Sequence, residues 1–375
     1  MTVEETLYTM ALTRLSGVSA TAVLELYKRV GSAQRIFEHK NDLRELIPDV
    51  NERFVVALRN SNDALNRAKY ELEFAVKKQV QCLAYNDEAY PQRLHEAADA
   101  PLMLYYCGNA DLNQKKILSI VGTRQCTQYG KDILRNFLAN LKTYCPQALV
   151  VSGLAYGIDI CSHREALKNG FETVGVLAHG LDSIYPAVHR DTAVEMVGQG
   201  GLLTEYMSET KSDKPHFVAR NRIVAGMSDA TIVVESAARG GSLITASIAQ
   251  GYSRDVFAFP GNVHQEYSVG CNNLIRDNGA ALITSAEDFI HAMKWDDEQQ
   301  RDKKLSMGIE RSLFVQFSDD EQTIVDVLTK ENDQQINVLA VKAGMPMNKL
   351  TATLFELEMK GVLKMLPGGV YHKYD

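Results

Sequence analysis

Apolar residues recur at helical spacing through the first part of the chain, up to about residue 78. Ala64, Ala68, Leu72 and Val76, for example, share one face of the helix that the pattern predicts over 62–78. Residues 14–20 (RLSGVSA) form a glycine-containing turn between two helical segments, an arrangement typical of a helix-hairpin-helix unit. Such hairpins present backbone N–H groups to a nucleic-acid phosphate, or serve as small packing modules. The pattern leaves both uses open.

From about residue 80, short apolar runs alternate with helical patterns. The runs predict strands at 80–85, 102–107, 117–121, 148–151, 173–177, 201–204, 230–234 and 255–259. Helices are predicted among them at 158–169, 191–197, 218–227 and 241–251. Because this alternation is typical of parallel sheets covered on both faces, it predicts a Rossmann-like, doubly wound, mostly parallel α/β domain over 80–292. In such sheets, ligands bind beyond the carboxyl ends of the strands, where the topology changes direction.

The composition changes again after residue 286. Residues 293–317 are charged or without clear periodicity and predict a linker. Ser318 and Glu321 have the spacing of a capping box, which opens a helix. Further helices are predicted at 336–343 and 347–360, followed by strands at 362–366 and 370–373. Because Pro367-Gly368-Gly369 between the strands is a hairpin signature, the pattern predicts a winged-helix domain over 318–375.

Composition places the chain among ordinary globular proteins. It has 375 residues, of which 45% are hydrophobic and 23% charged. The acidic start MTVEETLYTM is unlike a signal peptide, and no apolar run has the length of a membrane span. The 6 cysteines show no C-x-x-C spacing, which fits a reducing compartment. We therefore expect a cytoplasmic protein without a membrane partner. The net charge of −7 does not suggest nucleic-acid binding, but phosphate contacts need only a local basic patch.

Several glycines follow predicted strands, where a Rossmann-like sheet places its ligand. Gly122-Thr123-Arg124 ends the strand at 117–121 and precedes a helical pattern, so its backbone amides and the helix dipole suit an anion such as phosphate. The Arg124 guanidinium adds a charge that fits phosphate oxygens. Ser152-Gly153 and Gly241-Ser242 follow other strands. A structural turn with a surface arginine is the alternative. The sequence contains neither a GxGxxG fingerprint nor a P-loop, so no dinucleotide or nucleoside triphosphate is indicated.

Positive charge is densest between residues 211 and 226 (KSDKPHFVARNRIVAG). Lys214 and Phe217 place a cation beside an aromatic ring, which is what single-stranded nucleic acid needs, because charge holds the backbone and a ring stacks on an unpaired base. Arg220 and Arg222 flank Asn221 at an expected helix start. These two arginines are either ligand contacts or buried anchors paired with Asp159, Glu205 or Glu235.

A series of motifs follows in order along residues 80–290. The motifs are Ser119-Ile120-Val121-Gly122-Thr123-Arg124, Val151-Ser152-Gly153-Leu154-Ala155-Tyr156-Gly157-Ile158-Asp159, Gly180-Leu181-Asp182 with Tyr185-Pro186, Arg220-Asn221-Arg222-Ile223, Gly241-Ser242-Leu243-Ile244-Thr245-Ala246 and Val256-Phe257-Ala258-Phe259-Pro260-Gly261. This series resembles the DprA/Smf family of DNA-processing proteins. The resemblance implies a homodimeric, single-stranded-DNA-binding protein that loads RecA recombinase during natural transformation and is not an enzyme. Before these motifs, the helical pattern predicts an N-terminal domain of the helix-hairpin-helix or SAM-like type over 1–79.

The resemblance assigns roles to individual residues. Arg124 and Lys214 would hold phosphates, Phe217 would contact a base or sugar, and the loops at 152–153 and 240–242 would line the same pocket. Arg239-Gly240-Gly241 stands where a serine-glycine pair is commoner, and the position of His179 has no assigned role. The resemblance implies no catalytic residue, metal or cofactor.

Two other classes of function fit parts of the pattern. The core resembles LOG-type phosphoribohydrolases at the level of the fold, but no glutamate follows Gly240-Gly241-Ser242, and Glu235 lies before this loop. His163 and His179 stay open as a catalytic base. A winged-helix transcription regulator is the other class. However, the helix at 347–360 has few residues suited to reading bases, which favours contact with the core or a partner protein.

Overall fold

The computed structural model describes residues 2–295, 317–366 and 369–374. Internal contacts divide the chain into two compact units, Met1–Asp296 and Asp297–Asp375. Of the predicted linker over 293–317, residues 296–316 lie outside the described residues, so the linker stays a prediction.

The first unit begins with helices, as the periodicity predicted for the segment up to about residue 78. They are α1 (Val3–Leu12), α2 (Ala20–Val30), α3 (Ala33–Glu38), α4 (Leu43–Leu46), α5 (Glu52–Arg59) and α6 (Asn62–Lys78). The turn between α1 and α2 contains Gly17 at φ 76°, and Ser19 caps α2 by accepting a hydrogen bond from the Ala22 amide. Leu24 and Tyr27 belong to the same apolar cluster as residues of the sheet. Because the helices and the sheet share one apolar cluster, no separate core marks a boundary between them, and the domain boundary between residues 79 and 80 stays a prediction.

A mixed sheet of 9 strands follows these helices. Its strands are β1 (Gln81–Ala84), β2 (Met103–Gly108), β3 (Ile117–Val121), β4 (Leu149–Ser152), β5 (Thr173–Val176), β6 (Gly200–Thr204), β7 (Ala230–Val233), β8 (Asp255–Ala258) and β9 (Ala281–Leu282). The strand order is β1-β2-β6-β5-β4-β3-β7-β8-β9. Pairing is parallel from β6 through β9, and β1 and β2 add an antiparallel edge. The predicted fold class is confirmed. Strand β9 was not predicted, because two residues are too few to show the alternation of apolar and polar positions that indicates a strand.

Helices cover both faces of the sheet. They are α7 (Gln128–Tyr144), α8 (Ile158–Lys168), α9 (Arg190–Gly198), α10 (Lys214–Gly226), α11 (Gly241–Gly251), α12 (Val269–Arg276) and α13 (Ala286–Ala292). Residues of β3 alternate between two apolar clusters, with Ile117 and Val121 in one and Leu118 and Ile120 in the other. This alternation is the physical reason for the continuous apolar run in the sequence.

The second unit is the predicted winged helix. It contains α14 (Asp319–Lys330), β10 (Gln334–Gln335), α15 (Ile336–Ala343), α16 (Met347–Met359), β11 (Leu363–Leu366) and β12 (Val370–Lys373). The capping box of Ser318 and Glu321 is present at the start of α14. β11 and β12 pair antiparallel, which confirms the hairpin, while Pro367 and Gly368 lie outside the described residues. Ile324, Leu354 and Leu363 lie in its apolar core.

Hydropathy gives no candidate for a membrane span. Among the described residues, every helix is too short or too polar to cross a bilayer.

Candidate nucleic-acid interface

A cleft of about 790 Å³ opens at the carboxyl end of the sheet. Its walls are the loop after β3, the loop between β7 and α11, and the first turns of α10. β3 and β7 are neighbours, but the chain leaves β3 toward β4 on one side and leaves β7 toward β8 on the other. Because these connections diverge, a crevice forms between them. The cleft therefore lies at the switch point where the sequence predicted a ligand.

The structure brings most of the predicted site residues together in this cleft. Those that line it are Gly122, Thr123, Arg124, Gly153, Lys214, Phe217, Arg220, Asn221, Gly241 and Ser242. Ser152 and Arg222 are not among the lining residues. Ser152 is buried in the sheet, where its hydroxyl donates to the Ile120 carbonyl at 2.6 Å. The role of each residue in DNA binding stays a prediction.

Helix α10 begins earlier than predicted. Asp213 is its N-cap and accepts a hydrogen bond from the His216 amide at 2.8 Å, and Pro215 lies in the first turn. Both residues favour a helix start, so a capping signal was present in the sequence. The prediction that Arg220 and Arg222 lie at the helix start was wrong, because both lie inside α10.

The phosphate turn at Gly122-Thr123-Arg124 differs from its prediction in one respect. The Glu235 carboxylate accepts hydrogen bonds from the Thr127 amide at 2.9 Å and the Thr127 hydroxyl at 2.5 Å, at the start of α7. The Thr123 amide donates to the Glu235 carbonyl at 2.7 Å. A carboxylate of the protein therefore already neutralises the positive end of α7. What the turn presents to the cleft is the exposed side chain of Arg124.

Helix α11 offers the anion site that α7 does not. Gly240 is its N-cap, and no side chain of the described residues caps this end. Gly241 and Ser242 follow and line the cleft. Because the first amides of a helix lack partners within it, the start of α11 points N–H groups and a positive dipole end into the cleft.

Three exposed cations surround the opening. Arg124, Lys214 and Arg239 line the cleft, and none of them pairs with a carboxylate among the residues that the structure describes. Sequence reasoning did not select Arg239 as a site residue, although its position directly before Gly240-Gly241 was a signal. Unpaired cations beside a helix start make the cleft attractive to a polyanion.

Two aromatic rings lie among these cations. The Arg124 guanidinium lies over the Phe217 ring, 5.3 Å from its centroid. The Tyr185 ring also lies beside Phe217, with its centroid 5.7 Å from that of Phe217 and the two planes inclined at 54°. Sequence reasoning noted Tyr185 only as part of a family motif, because nothing local relates residue 185 to residue 217. The cleft thus combines charge with rings, as a single-strand site does.

Arg220 forms the bottom of the cleft. Its side chain is 4% exposed, and Nη1 donates to the carbonyls of Gly153 and Val176, at the carboxyl ends of β4 and β5. A Cβ on Gly153 would lie 2.2 Å from this nitrogen, so a larger residue at this position would displace the Arg220 guanidinium. Burial lowers the pKa of Arg220 and raises that of the neighbouring Asp159, and the charge of each residue opposes the shift of the other. Arg220 therefore satisfies buried carbonyls.

Arg222 braces the domain beside the cleft. Its Nη2 donates to Glu205 Oε2 at 2.6 Å, and its Nε lies 3.8 Å from Asp99 Oδ2. Of the carboxylates that the sequence suggested for the two arginines, Glu205 pairs with Arg222 and Asp159 lies beside Arg220. Glu235 instead caps α7.

The two candidate histidines are buried beneath the surface. His163 shares a hydrogen bond of 2.7 Å with Thr173, and burial lowers its pKa to about 3. His179 accepts a hydrogen bond from the Tyr185 amide at 3.2 Å. Neither histidine lines the cleft. Each is thus placed to support the fold rather than to touch a ligand.

Fold and site together define a class: a Rossmann-like protein with a cationic, ring-bearing cleft at the switch point and a winged-helix unit. Residues 81–294 match the family model described as DNA recombination-mediator protein A. Residues 315–369 match the model described as DprA winged helix domain. The chain belongs to the DprA/Smf family of DNA recombination-mediator proteins.

Curated relatives extend over most of the chain. Protein Smf of Escherichia coli is 33% identical over 294 residues, which are 76% of this chain and 75% of the relative. Protein Smf of Synechocystis is 29% identical and covers 98% of this chain and 99% of its own. DNA processing protein DprA of Streptococcus pneumoniae is 40% identical over 204 residues, 54% of this chain and 71% of the relative.

Solved structures of relatives show the same fold. The X-ray structure of DprA from Streptococcus pneumoniae has a TM-score of 0.65 and 33% identity, covering 76% of this chain and 97% of that one. DprA from Helicobacter pylori has a TM-score of 0.52 and 30% identity, covering 58% of this chain and 97% of that one. The description of the latter structure concerns its single-stranded DNA binding mode.

Proposed function

We propose that the cleft binds single-stranded DNA without sequence preference, as a step in DNA processing for recombination. The observation that carries this proposal is a set of exposed cations, Arg124, Lys214 and Arg239, that line the same cleft as Phe217 and Tyr185. Among the residues that the structure describes, none of the three cations pairs with a carboxylate. Cations hold the phosphodiester backbone and rings contact bases of any identity. The Helicobacter pylori relative, with its described single-stranded DNA binding mode, supports the same substrate.

Within this proposal the cleft residues divide into contacts and supports. Arg124 and Lys214 hold phosphates, Phe217 contacts a base or sugar, and the amides at Gly241 and Ser242 hold a further phosphate. Gly122, Thr123, Gly153 and Asn221 shape the wall against which the strand lies. Ser152, Arg220 and Arg222 keep the frame in place through their internal hydrogen bonds.

The finer parts of the proposal come from the family. We infer that the protein acts as a cytoplasmic homodimer, passes the strand to the RecA recombinase and performs no chemistry on it. The match to a recombination mediator supports a hand-over function. Sedimentation at micromolar concentration should show dimers, and RecA filaments should form faster on strands that carry the protein. Monomers alone, or no effect on RecA, would contradict these parts without affecting the DNA site.

One titration tests the central proposal. A labelled oligonucleotide, as a single strand and as a duplex, is titrated with the full chain at two salt concentrations. We expect tighter binding to the single strand, with log K falling by about 0.7 for each phosphate contact per tenfold increase in salt. Preference for one duplex sequence would favour a transcription regulator. Release of free base from nucleoside monophosphates would show a phosphoribohydrolase.

A further inference from the structure

The aromatic rings of Tyr185 and Phe217 both line the cleft, and the sequence pattern indicated only Phe217 as a contact to a base. We propose that Tyr185 is the residue on which an unpaired base stacks. Phe217 then packs against Tyr185 and Arg124 and touches the sugar. This inference rests on the proposed function. The ligand is an unpaired nucleobase of any identity, because every base has a π-face.

The Tyr185 and Phe217 rings differ in how much of each ring face is accessible to a base. Phe217 is partly buried, and the Arg124 guanidinium already lies over its face at 5.3 Å. This cation–π contact fixes the direction of Arg124 and removes that face from stacking. Tyr185 lines the cleft with 51% of its surface exposed, and no cation of the described chain lies over its ring. Tyr185 therefore offers the open aromatic face.

The backbone beneath Tyr185 is held in place. The Tyr185 amide donates to His179 Nε2 at 3.2 Å, while His179 Nδ1 lies 2.9 Å from the Gly180 carbonyl. Since a carbonyl only accepts, Nδ1 carries the proton and Nε2 is left as the acceptor that the Tyr185 amide needs. His179 is only 2% exposed, and Pro186, the residue after Tyr185, is buried as well.

This arrangement gives His179 a role that the sequence left unassigned. A buried imidazole of one tautomer holds the backbone of an exposed tyrosine, so the backbone that carries the ring is fixed before a ligand arrives. Ordering in advance lowers the entropy cost of binding. His179 is thus a positioning residue that acts through Tyr185.

The proposal also accounts for a preference for single strands. Bases in a duplex are paired and stacked inside it, so their faces do not reach Tyr185. An unpaired base rotates out and stacks on the ring while Arg124 and Lys214 hold the flanking phosphates. Removing the ring should therefore weaken single-strand binding and leave weak, charge-driven duplex binding unchanged.

A double-mutant cycle with abasic DNA tests the stacking. The full chain, Tyr185→Ala and Tyr185→Phe are titrated with a normal single strand and with an abasic strand of equal length and charge. Tyr185→Ala should weaken binding to the normal strand roughly 5- to 100-fold, with Tyr185→Phe close to the unmodified chain. On the abasic strand, Tyr185→Ala should change affinity less than about twofold, because no base is present to stack. Equal losses on both strands would overturn the proposal.

Tyr156→Ala is the matched control. Tyr156 is a similarly exposed tyrosine, at 48%, but it does not line the cleft, so its removal should leave both affinities unchanged. His179→Ala should reproduce part of the Tyr185→Ala loss on the normal strand only, with the fold confirmed by circular dichroism. If the unmodified chain binds no single strand, the proposed function fails. If it binds and Tyr185→Ala binds equally well, only the role of Tyr185 fails.

Discussion

The cleft and the winged-helix unit use their basic residues in opposite ways. In the cleft, Arg124, Lys214 and Arg239 are exposed and, within the described chain, have no carboxylate partner. In the winged helix, pairs of lysine and carboxylate recur. They are Lys342 with Glu331, Lys349 with Asp320, and Lys360 with Glu321. A lysine whose charge is neutralised by a neighbouring carboxylate attracts phosphate weakly, so we expect DNA to bind at the cleft rather than at the winged helix.

The exposed face of α16 strengthens the contrast. In a DNA-reading winged helix this face carries polar and basic side chains toward the major groove. Here Phe355 and Met359 are 64% and 72% exposed on it. An apolar surface of this kind is typical of protein contact rather than of DNA contact. What a basic residue can contribute to DNA binding therefore depends on whether its charge is already paired within the protein.

The largest effect is expected from removing the free charges. The double substitution Arg124→Ala and Lys214→Ala should weaken single-strand binding by roughly 100-fold at moderate salt, since hydrogen bonds to charged groups contribute about 1.5–3 kcal/mol each. The slope of log K against log salt should become shallower by about 0.7 for each phosphate that the variant no longer holds. Fluorescence anisotropy measures both. Lys349→Ala, which removes a paired lysine of the winged helix, is the control and should change little; equal losses of affinity in the two variants would erase the contrast.

A smaller effect, on stability instead of affinity, is expected from Arg222→Ala. This change leaves the Glu205 carboxylate without its partner in a mostly buried position. Removing one partner of a buried pair should lower the free energy of unfolding by about 2–3 kcal/mol. Urea denaturation measures this decrease. The affinity of the folded fraction for single strands should stay within about twofold. A large decrease in affinity with unchanged stability would make Arg222 a ligand contact.

The smallest effect is expected from Lys360→Ala in the winged helix. Glu321 is buried at the start of α14, where Lys360 Nζ lies 2.5 Å from Oε1 and the Ser318 amide donates at 2.9 Å. These hydrogen bonds, that of Lys360 foremost, lower the pKa of Glu321 below its ordinary value. The substitution should lower local stability by about 1–2 kcal/mol at neutral pH. Amide hydrogen exchange over 319–330 measures it.

The pH dependence of this effect follows from the direction of the shift. A depressed folded-state pKa stabilises the unit above the unfolded pKa of about 4.3, and the contribution disappears as pH falls through the folded value. The unmodified chain and Lys360→Ala should therefore converge in acid. Single-strand affinity should not change, and a marked decrease would show that the winged helix takes part in DNA binding.

Local patterns predicted most of the architecture. The apolar run of β3 indicated a buried strand because both of its faces pack in apolar clusters. The capping box at Ser318 and the hairpin signature at 367–369 located the elements of the winged helix. The start of α10 was missed although Asp213 and Pro215 signal it locally. The two-residue strand β9 had too short a pattern to be found.

Tertiary structure alone decided whether each charged side chain is paired, buried or exposed. Thr127 and Glu235 are 108 positions apart, and Arg220 reaches carbonyls 67 and 44 positions away. No local pattern relates such residues. The sequence therefore identified glycine turns, cations and an aromatic ring without showing which of them already form hydrogen bonds or ion pairs within the protein. By itself it determined most of the elements, their order and the residue types at the switch point. Only the fold decided that the Glu235 carboxylate binds the N-terminal end of α7, that Arg220 lies beneath the cleft, and that Tyr185 is exposed beside Phe217. The reason is that pairing and burial depend on contacts between strands and loops that the chain brings together only when folded.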